Sequence, residues 1–302
     1  MRKNIDLKVF LVMTLICCVW GGQQVAMKSI QHSISLTMQI GIRSGIAAIL
    51  VLLFFNKKEK ILYHLTDKKL LLAALTVGLL FSLEFFLVSA AISRTETSHV
   101  SLYLYTAPVF TAVGLHFLLP QEKLNKYQWV GIGVALIGIA LAVRMGLSSE
   151  KDWSFSGDLC AVAAGFAWGL SSIIIRCSIL STAPAACTLF YQLAVTSITL
   201  CGYALFFEDY RLVPDGTVVI NLLCQTVVVS FISYLVWFNL LRKYQVASLS
   251  SFILMTPVMG IIAGHIVLGE ILTPGFISGA VLLLTGLLLT ILFARHAGKE
   301  QI

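Results

Sequence analysis

The sequence predicts an all-α integral membrane protein of ten transmembrane helices in two inverted five-helix repeats. Three observations carry this. Of 302 residues, 58% are hydrophobic and only 12% are charged, against roughly 25% charged in soluble domains. Mean hydropathy is +0.93, more apolar surface than one water-soluble core can hide, so lipid must solvate most of it. The chain also matches itself at an interval of 148 or 149 residues.

A membrane-spanning helix needs about 20 mostly apolar residues. Such stretches occur at 8–27, 34–55, 69–92, 97–118, 126–146, 157–177, 184–207, 217–241, 246–268 and 274–294. The first follows MRKNIDLK and lacks a small-residue cleavage site, so it is expected to stay as helix one and not leave as a signal peptide. Helix two carries Arg43 and helix three Glu84, the two ionisable residues well inside spans. Helix four holds His99, Ser101, Tyr103, Tyr105 and, midway, Pro108. Helix five is glycine-patterned through Gly131, Gly133 and Gly138, and Glu122 precedes it. Helix six brings Trp168, Ser171, Ser172 and Arg176, and helix seven Tyr191 and Gln192. Helix eight has Tyr234, Trp237 and Asn239, helix nine has Pro257, and helix ten has Gly279 and Gly286. The gaps are short and hold turn or charge signals: NKKEK at 56–60, PQEK at 120–123, EDYR at 208–211 and Pro-Asp-Gly at 214–216.

Counting Lys and Arg on alternate sides gives 15 on the side of the N-terminus and 5 on the other, with Arg43 inside a span. The positive-inside rule then places both termini in the cytoplasm. The net charge of +7 is explained by this topology, so nucleic acid is not expected as a partner.

The repeat aligns Trp20-Gly21 with Trp168-Gly169, Lys28 with Arg176, Pro108 with Pro257 and His116 with His265. A one-residue shift adds Glu122 with Glu270, Gly131 with Gly279 and Gly138 with Gly286. The repeats are expected at 8–146 and 157–294. Five spans is an odd number, so the second repeat enters the membrane from the opposite side. Inverted repeats are the architecture of secondary transporters that rock between inward-open and outward-open states.

The tryptophan-glycine in the first helix of each half, the proline midway along the fourth, and the fifth helices (PQEKLNKYQWVGIGVALIGIA and LGEILTPGFISGAVLLLTG) carry a resemblance. Together they resemble the EamA-type, ten-helix branch of the drug/metabolite transporter superfamily, over about residues 8–294. The resemblance implies a solute carrier with a cavity between the halves, export of amino acids or related metabolites, and the bacterial inner membrane. It does not name a substrate. One departure from the neighbouring small multidrug pumps is clear: helix one has no Asp or Glu after Asp6, which argues against proton-coupled drug efflux through such a carboxylate.

Candidate substrate-binding residues follow from polar groups that lipid cannot satisfy. Arg43 and Glu84 lie about 12–14 Å below the same end of the bundle, deep enough to pair with each other or to meet a substrate carboxylate. A fixed brace between helices two and three is the competing role. Trp20, Gln23 and Gln24 in helix one, with Trp168 and Ser172 at near-equivalent places in helix six, offer a polar stripe in both halves. That stripe lines a cavity or glues helices. Tyr105 and Trp237 sit deeper than interface aromatics, and Tyr191 occupies the place equivalent to Arg43. Pro108 and Pro257 each remove a backbone hydrogen bond and are candidate paired hinges, or static kinks.

The seven cysteines form no CxxC pair and are expected to be small core residues. The six histidines are scattered without metal-ligand spacing, so no metal, no cofactor and no enzyme chemistry are expected. The expected partners are a small-molecule substrate and the lipid bilayer, with one chain able to enclose a complete site as a monomer. A channel or a binding-only sensor is the alternative function, ahead of a membrane-embedded enzyme.

Overall fold

In hydrocarbon each backbone N–H and C=O must find a partner within the protein, so apolar runs of this length form helices. A computed structural model describes residues 7–62, 67–146, 155–208, 215–243 and 252–297. The first repeat comprises α1 (Leu7–Ser29), α2 (Leu36–Glu59), α3 (Lys68–Ile92), α4 (Thr97–Leu104), α5 (Ala107–Leu118) and α6 (Lys126–Gly146). The second comprises α7 (Phe155–Cys177), α8 (Ala185–Phe207), α9 (Gly216–Leu223), a π-helical segment (Cys224–Ser233), α10 (Tyr234–Lys243), α11 (Met255–Leu268) and α12 (Pro274–Ala297). Among the described residues nine helical stretches are long and apolar enough to cross a membrane, counting α4 with α5 and α9 with its continuation to Trp237; α11 is a shorter apolar helix. Residues 246–251 of the expected ninth span lie outside the described residues.

Polar caps set several boundaries. Ser35 accepts from the Met38 amide at 3.3 Å, Asp67 from Lys69 and Leu70, and Asp215, in the Pro-Asp-Gly turn, from Val218 at 2.8 Å. Each side chain satisfies amides that the first helical turn leaves free.

The fourth span is interrupted close to Pro108, where the sequence places a hinge or kink. It breaks at Tyr105 and Thr106, between α4 and α5. Pro108 has no N–H for the Leu104 carbonyl and its ring crowds that carbonyl, so the ladder opens one turn earlier. The second repeat breaks at Leu254, three residues before Pro257, and the two breaks stand at equivalent places.

The halves are interleaved, not set side by side. α1 packs on α11, α2 on α8, α3 on α7 and α8, α4 and α5 on α7, and α6 on α12. Contacts between sequential helices of one repeat are sparser. The α6–α12 pair depends on glycine: a side chain at Gly138 would strike the Leu283 amide and the Gly279 carbonyl, and one at Gly286 would strike Ala135 and Gly131. Small residues let two backbones approach in this way within lipid.

Consecutive spans alternate in direction. The near end of the bundle, where α1 begins, also holds the Glu122–Arg176 contact. The far end holds the Lys28–Glu270 contact. The outward surface is apolar, with Leu53 69%, Ile198 74% and Phe206 83% exposed. Such a surface belongs in a bilayer. Of the cysteines, Cys17 and Cys187 are buried as expected, but Cys18, Cys177 and Cys224 face outward. Lipid is as apolar as the core, so a small apolar thiol fits either side, and hydropathy alone could not separate the two.

Candidate functional site

The middle of the bundle gathers charge and aromatic rings. Arg43 is 2% exposed on α2 and Glu84 is 5% exposed on α3. The α2–α8 and α3–α8 crossings put them at similar depth: Gly41 meets Cys201, Gly45 meets Ser197, and Ser82 hydrogen-bonds Thr199. The two side chains form no ion pair among the described residues. Arg43 Nη1 instead donates to Gln225 Oε1 at 3.3 Å, lies 3.8 Å from Met27 Sδ, and its guanidinium sits 4.9 Å above the Phe85 ring. Arg43 Nε and Glu84 Oε2 are buried with no hydrogen-bond partner. Two such orphans, cation and anion, are an energetic liability inside a membrane.

Gln225 belongs to the π-helical segment and centres a buried amide chain. Its Nε2 donates to Gln39 Oε1 at 3.2 Å and to Asn221 Oδ1 at 2.7 Å. Gln39 in turn donates to the Met27 and Ile34 carbonyls, and Asn221 to the Ala26 carbonyl. The chain ties α2 and the π segment to the end of α1 and fixes the oxygen that receives Arg43. π segments widen the helix and recur at functional sites.

Aromatic rings stand on both repeats. Trp20 lies 5.6 Å from Tyr234 and 5.8 Å from Trp237, and its Nε1 donates to Ser233 Oγ at 2.6 Å. Tyr105, at the α4–α5 break, meets Trp168 edge-on at 5.6 Å. The close crossing of Gly21 and Gly260 brings α1 against α11 beside this cluster.

Of the sequence-derived candidates, the structure therefore joins Trp20 to Trp237 and Tyr105 to Trp168, with Arg43 and Glu84 at one depth. It sets others apart. Tyr191 packs toward the near end in a separate cluster with Leu70, Ala74, Val77 and Leu180. Ser172 Oγ donates to its own helix at the Trp168 carbonyl, 3.0 Å away. Gln24 is 4% exposed, and in the better orientation its amide donates to the Gly21 and Trp20 carbonyls. Gln23 is half-buried. Gln39, Gln225 and Phe85 were not singled out by the sequence. The signal for the glutamines was present, since a span interior gives an amide few partners.

The far end gathers a second polar cluster. Glu270 accepts from the Thr97 and Ser98 amides at 2.6 and 2.8 Å and from Thr97 Oγ1 at 2.8 Å. Its carboxylate thus caps α4, where an anion is favoured. Gly269, at φ 69°, ends α11 in the left-handed conformation that turns the chain into Glu270. Lys28 Nζ lies 3.7 Å from Glu270 Oε1 and donates to the Thr95 carbonyl at 2.9 Å. Asp158, 1% exposed, accepts from Thr95 Oγ1 at 2.9 Å and lies 3.1 Å from His99 Nδ1. Glu96 stands at the edge of this group; its burial and the facing Glu270 push its carboxyl above the usual range, against the pull of His99 and Lys28. Beside this end, a cavity of about 490 Å³ opens between α2, α3 and α8, lined among others by His32, Ser89, Arg94 and Tyr203.

The histidines at the span ends serve the backbone. Leu124 N donates to His116 Nδ1 at 2.9 Å, and His265 Nδ1 lies 2.8 Å from the Glu270 carbonyl. No group of three or more His, Cys, Asp or Glu that could hold a metal exists among the described residues.

Comparison with known proteins accounts for the doubled architecture. The EamA-like transporter family matches residues 7–144 and again residues 155–292. The chain is 25% identical over 296 residues to the uncharacterized transporter YoaV of Bacillus subtilis, covering 96% of this chain and 99% of that one. It is 26% identical to a "probable amino-acid metabolite efflux pump" of Salmonella typhimurium, over 92% of each chain. The protein of the same name from Escherichia coli is also 26% identical, over 93% of this chain and 94% of that one. A solved crystal structure, 17% identical, superposes with a TM-score of 0.67 over 95% of this chain and 97% of that chain, a likeness of fold.

Proposed function

The chain belongs to the EamA-like transporter family, and on that premise we propose that it is a secondary transporter that exports small metabolites of the amino-acid class. It is a multi-pass membrane protein. The observation that carries the reading is the pair of buried, partnerless atoms Arg43 Nε and Glu84 Oε2, at one depth and near aromatic rings from both repeats. A zwitterion answers both at once, its carboxylate meeting the guanidinium and its ammonium the glutamate. Trp20, Tyr105, Trp168, Tyr234 and Trp237 supply apolar faces for the rest of the solute. The names of the two efflux-pump relatives point to the same class.

Translocation proceeds by alternating access between the two repeats, residues 8–146 and 157–294, with the α4–α5 break before Pro108 and the break before Pro257 as hinges. The near end faces the cytoplasm of a bacterial inner membrane, since the sequence assigns 15 Lys and Arg to that side of the spans against 5 to the other. One chain carries both repeats and suffices as a monomer. The test is uptake of radiolabelled amino acids, nucleobases and related metabolites into proteoliposomes, with and without unlabelled solute on the other side. Saturable uptake accelerated by trans solute identifies a carrier; unsaturable flux without acceleration identifies a channel instead.

A further inference from the structure

Among the described residues two pairs of a Lys or Arg with a Glu join the repeats, and they are the same contact made twice. Lys28 ends α1 and meets Glu270, which heads α12. Arg176, 148 residues after Lys28, ends α7 and meets Glu122, 148 residues before Glu270, which heads α6. Because the repeats are inverted, the first pair lies at the far end and the second at the near end. We propose that these pairs are opposing latches, each closing the path between the repeats at one end, and that the structure holds the far latch shut. The inference rests on the carrier reading above and adds the residues that decide which end is open.

Both pairs are made, and they differ in how far each is enclosed. At the far end the side chains of Lys28 and Glu270 are 24% and 6% exposed. There Glu270 also holds the start of α4 through two amides and a hydroxyl, Lys28 holds the Thr95 carbonyl, and Asp158 of α7 holds Thr95 Oγ1. Four elements, α1, α4, α7 and the segment entering α12, thus meet on one buried carboxylate and its neighbours. At the near end Arg176 and Glu122 approach to 2.7 Å, but their side chains are 61% and 36% exposed. Among the hydrogen bonds of the described residues, Glu122 accepts from Arg176 alone, at Oε1. A solvated pair of this kind holds little, whereas a buried one resists the loss of either partner. Inversion symmetry makes the exchange of these two environments equivalent to the exchange of open ends.

The experiment reads the far end directly and needs no known substrate. Ser98→Cys is introduced in full-length protein whose seven native cysteines are replaced, and its reaction with a membrane-impermeant maleimide is timed in oriented proteoliposomes. Ser98 is fully buried behind the far latch. Lys28→Met is expected to raise the labelling rate about tenfold, because it removes one partner of a buried pair. Arg176→Met is expected to lower it by about twofold, because it loosens only the exposed near latch and shifts the population toward far-end closure. Lys28→Arg, which keeps the cation, is expected to label like the parent and serves if Lys28→Met folds poorly. Opposite signs for the two Met variants are the signature. If both raise labelling, the pairs merely brace the fold, and if neither changes it, they close nothing; either result overturns the proposal. Trans-acceleration of uptake by the parent is scored separately, so a failed latch and a failed carrier give different results.

Discussion

The third helix of each repeat occupies the same topological place, yet the two are built differently. α3 is a regular helix of 25 residues, capped by Asp67; it packs along α7, and along α8 through Gly78 and the Ser82–Thr199 hydrogen bond. Its counterpart, from Gly216 through Lys243, contains ten π-helical residues and touches α1 and α2 less extensively. The π segment also bears the only amide that Arg43 reaches among the described residues. One repeat therefore supplies a packed wall and the other a looser, polar one. In an inverted-repeat protein such a difference has a specific meaning: the conformations of the two halves can be exchanged, and the exchange reverses the molecule in the membrane.

The sharpest way to break this comparison is at its charged centre. Arg43 and Tyr191 stand 148 residues apart, at equivalent places in α2 and α8. Arg43→Gln should abolish trans-accelerated uptake, by about a hundredfold or more, since it leaves Glu84 as a lone buried charge. Tyr191→Phe should change uptake by less than about twofold, because its hydroxyl has no partner to lose. Equal losses from both substitutions would mean that the halves share the site evenly.

A second contrast tests the glycine seam. A methyl group at Gly138 meets the backbone of α12, whereas one at Gly133, on the same helix, meets nothing within 4 Å. Gly138→Ala should destabilise the protein by about 1–3 kcal/mol, seen as a lower midpoint of thermal unfolding in detergent. Gly133→Ala should be neutral or slightly stabilising, since alanine favours the helix. A lowered midpoint for Gly133→Ala alone would show that the seam is elsewhere.

Gln225 offers a finer cut. Gln225→Leu keeps size but removes both the acceptor for Arg43 and the donor to Gln39. Uptake should fall about tenfold, and Gln225→Glu, which keeps the acceptor, should restore part of it. If Gln225→Leu transports normally, the π segment does not position the arginine.

Much of this was legible in the sequence because the causes are local. Hydropathy located the spans, and the repeat located the Gly138–Gly279 seam, since glycines recur wherever backbones must touch. Arg43 and Glu84 were visible because a charge within an apolar run has so few explanations. The link from Arg43 to Gln225 was not visible, because it joins residues 182 apart through a π segment that no periodicity announces. The role of Glu270 was not visible either: in sequence it stands just ahead of the last helix, yet its carboxylate caps α4 of the other repeat. Sequence position gives the nearest helix end, and only packing gives the one actually served.

The smallest expected effect concerns pH at the far end. Glu96 is held above the usual carboxylate range by burial and by Glu270, so the sealed far end favours its protonated form. Opening would return the group to water and to its ordinary value near about 4.3. Sealing is therefore strengthened as pH falls through the raised value, reaches its full extent below the ordinary one, and loses this contribution as pH rises again. Lys28 of α1, His99 of α4, Asp158 of α7 and Glu270 all face this region. With each rate divided by that of the same denatured variant, labelling at Ser98→Cys should fall as pH is lowered from neutral toward the ordinary carboxylate value. Glu96→Gln mimics the protonated form, so its labelling should start low and change less. The part of the slope that it removes belongs to Glu96. An unchanged slope in Glu96→Gln would leave the raised carboxyl a passenger of the seal.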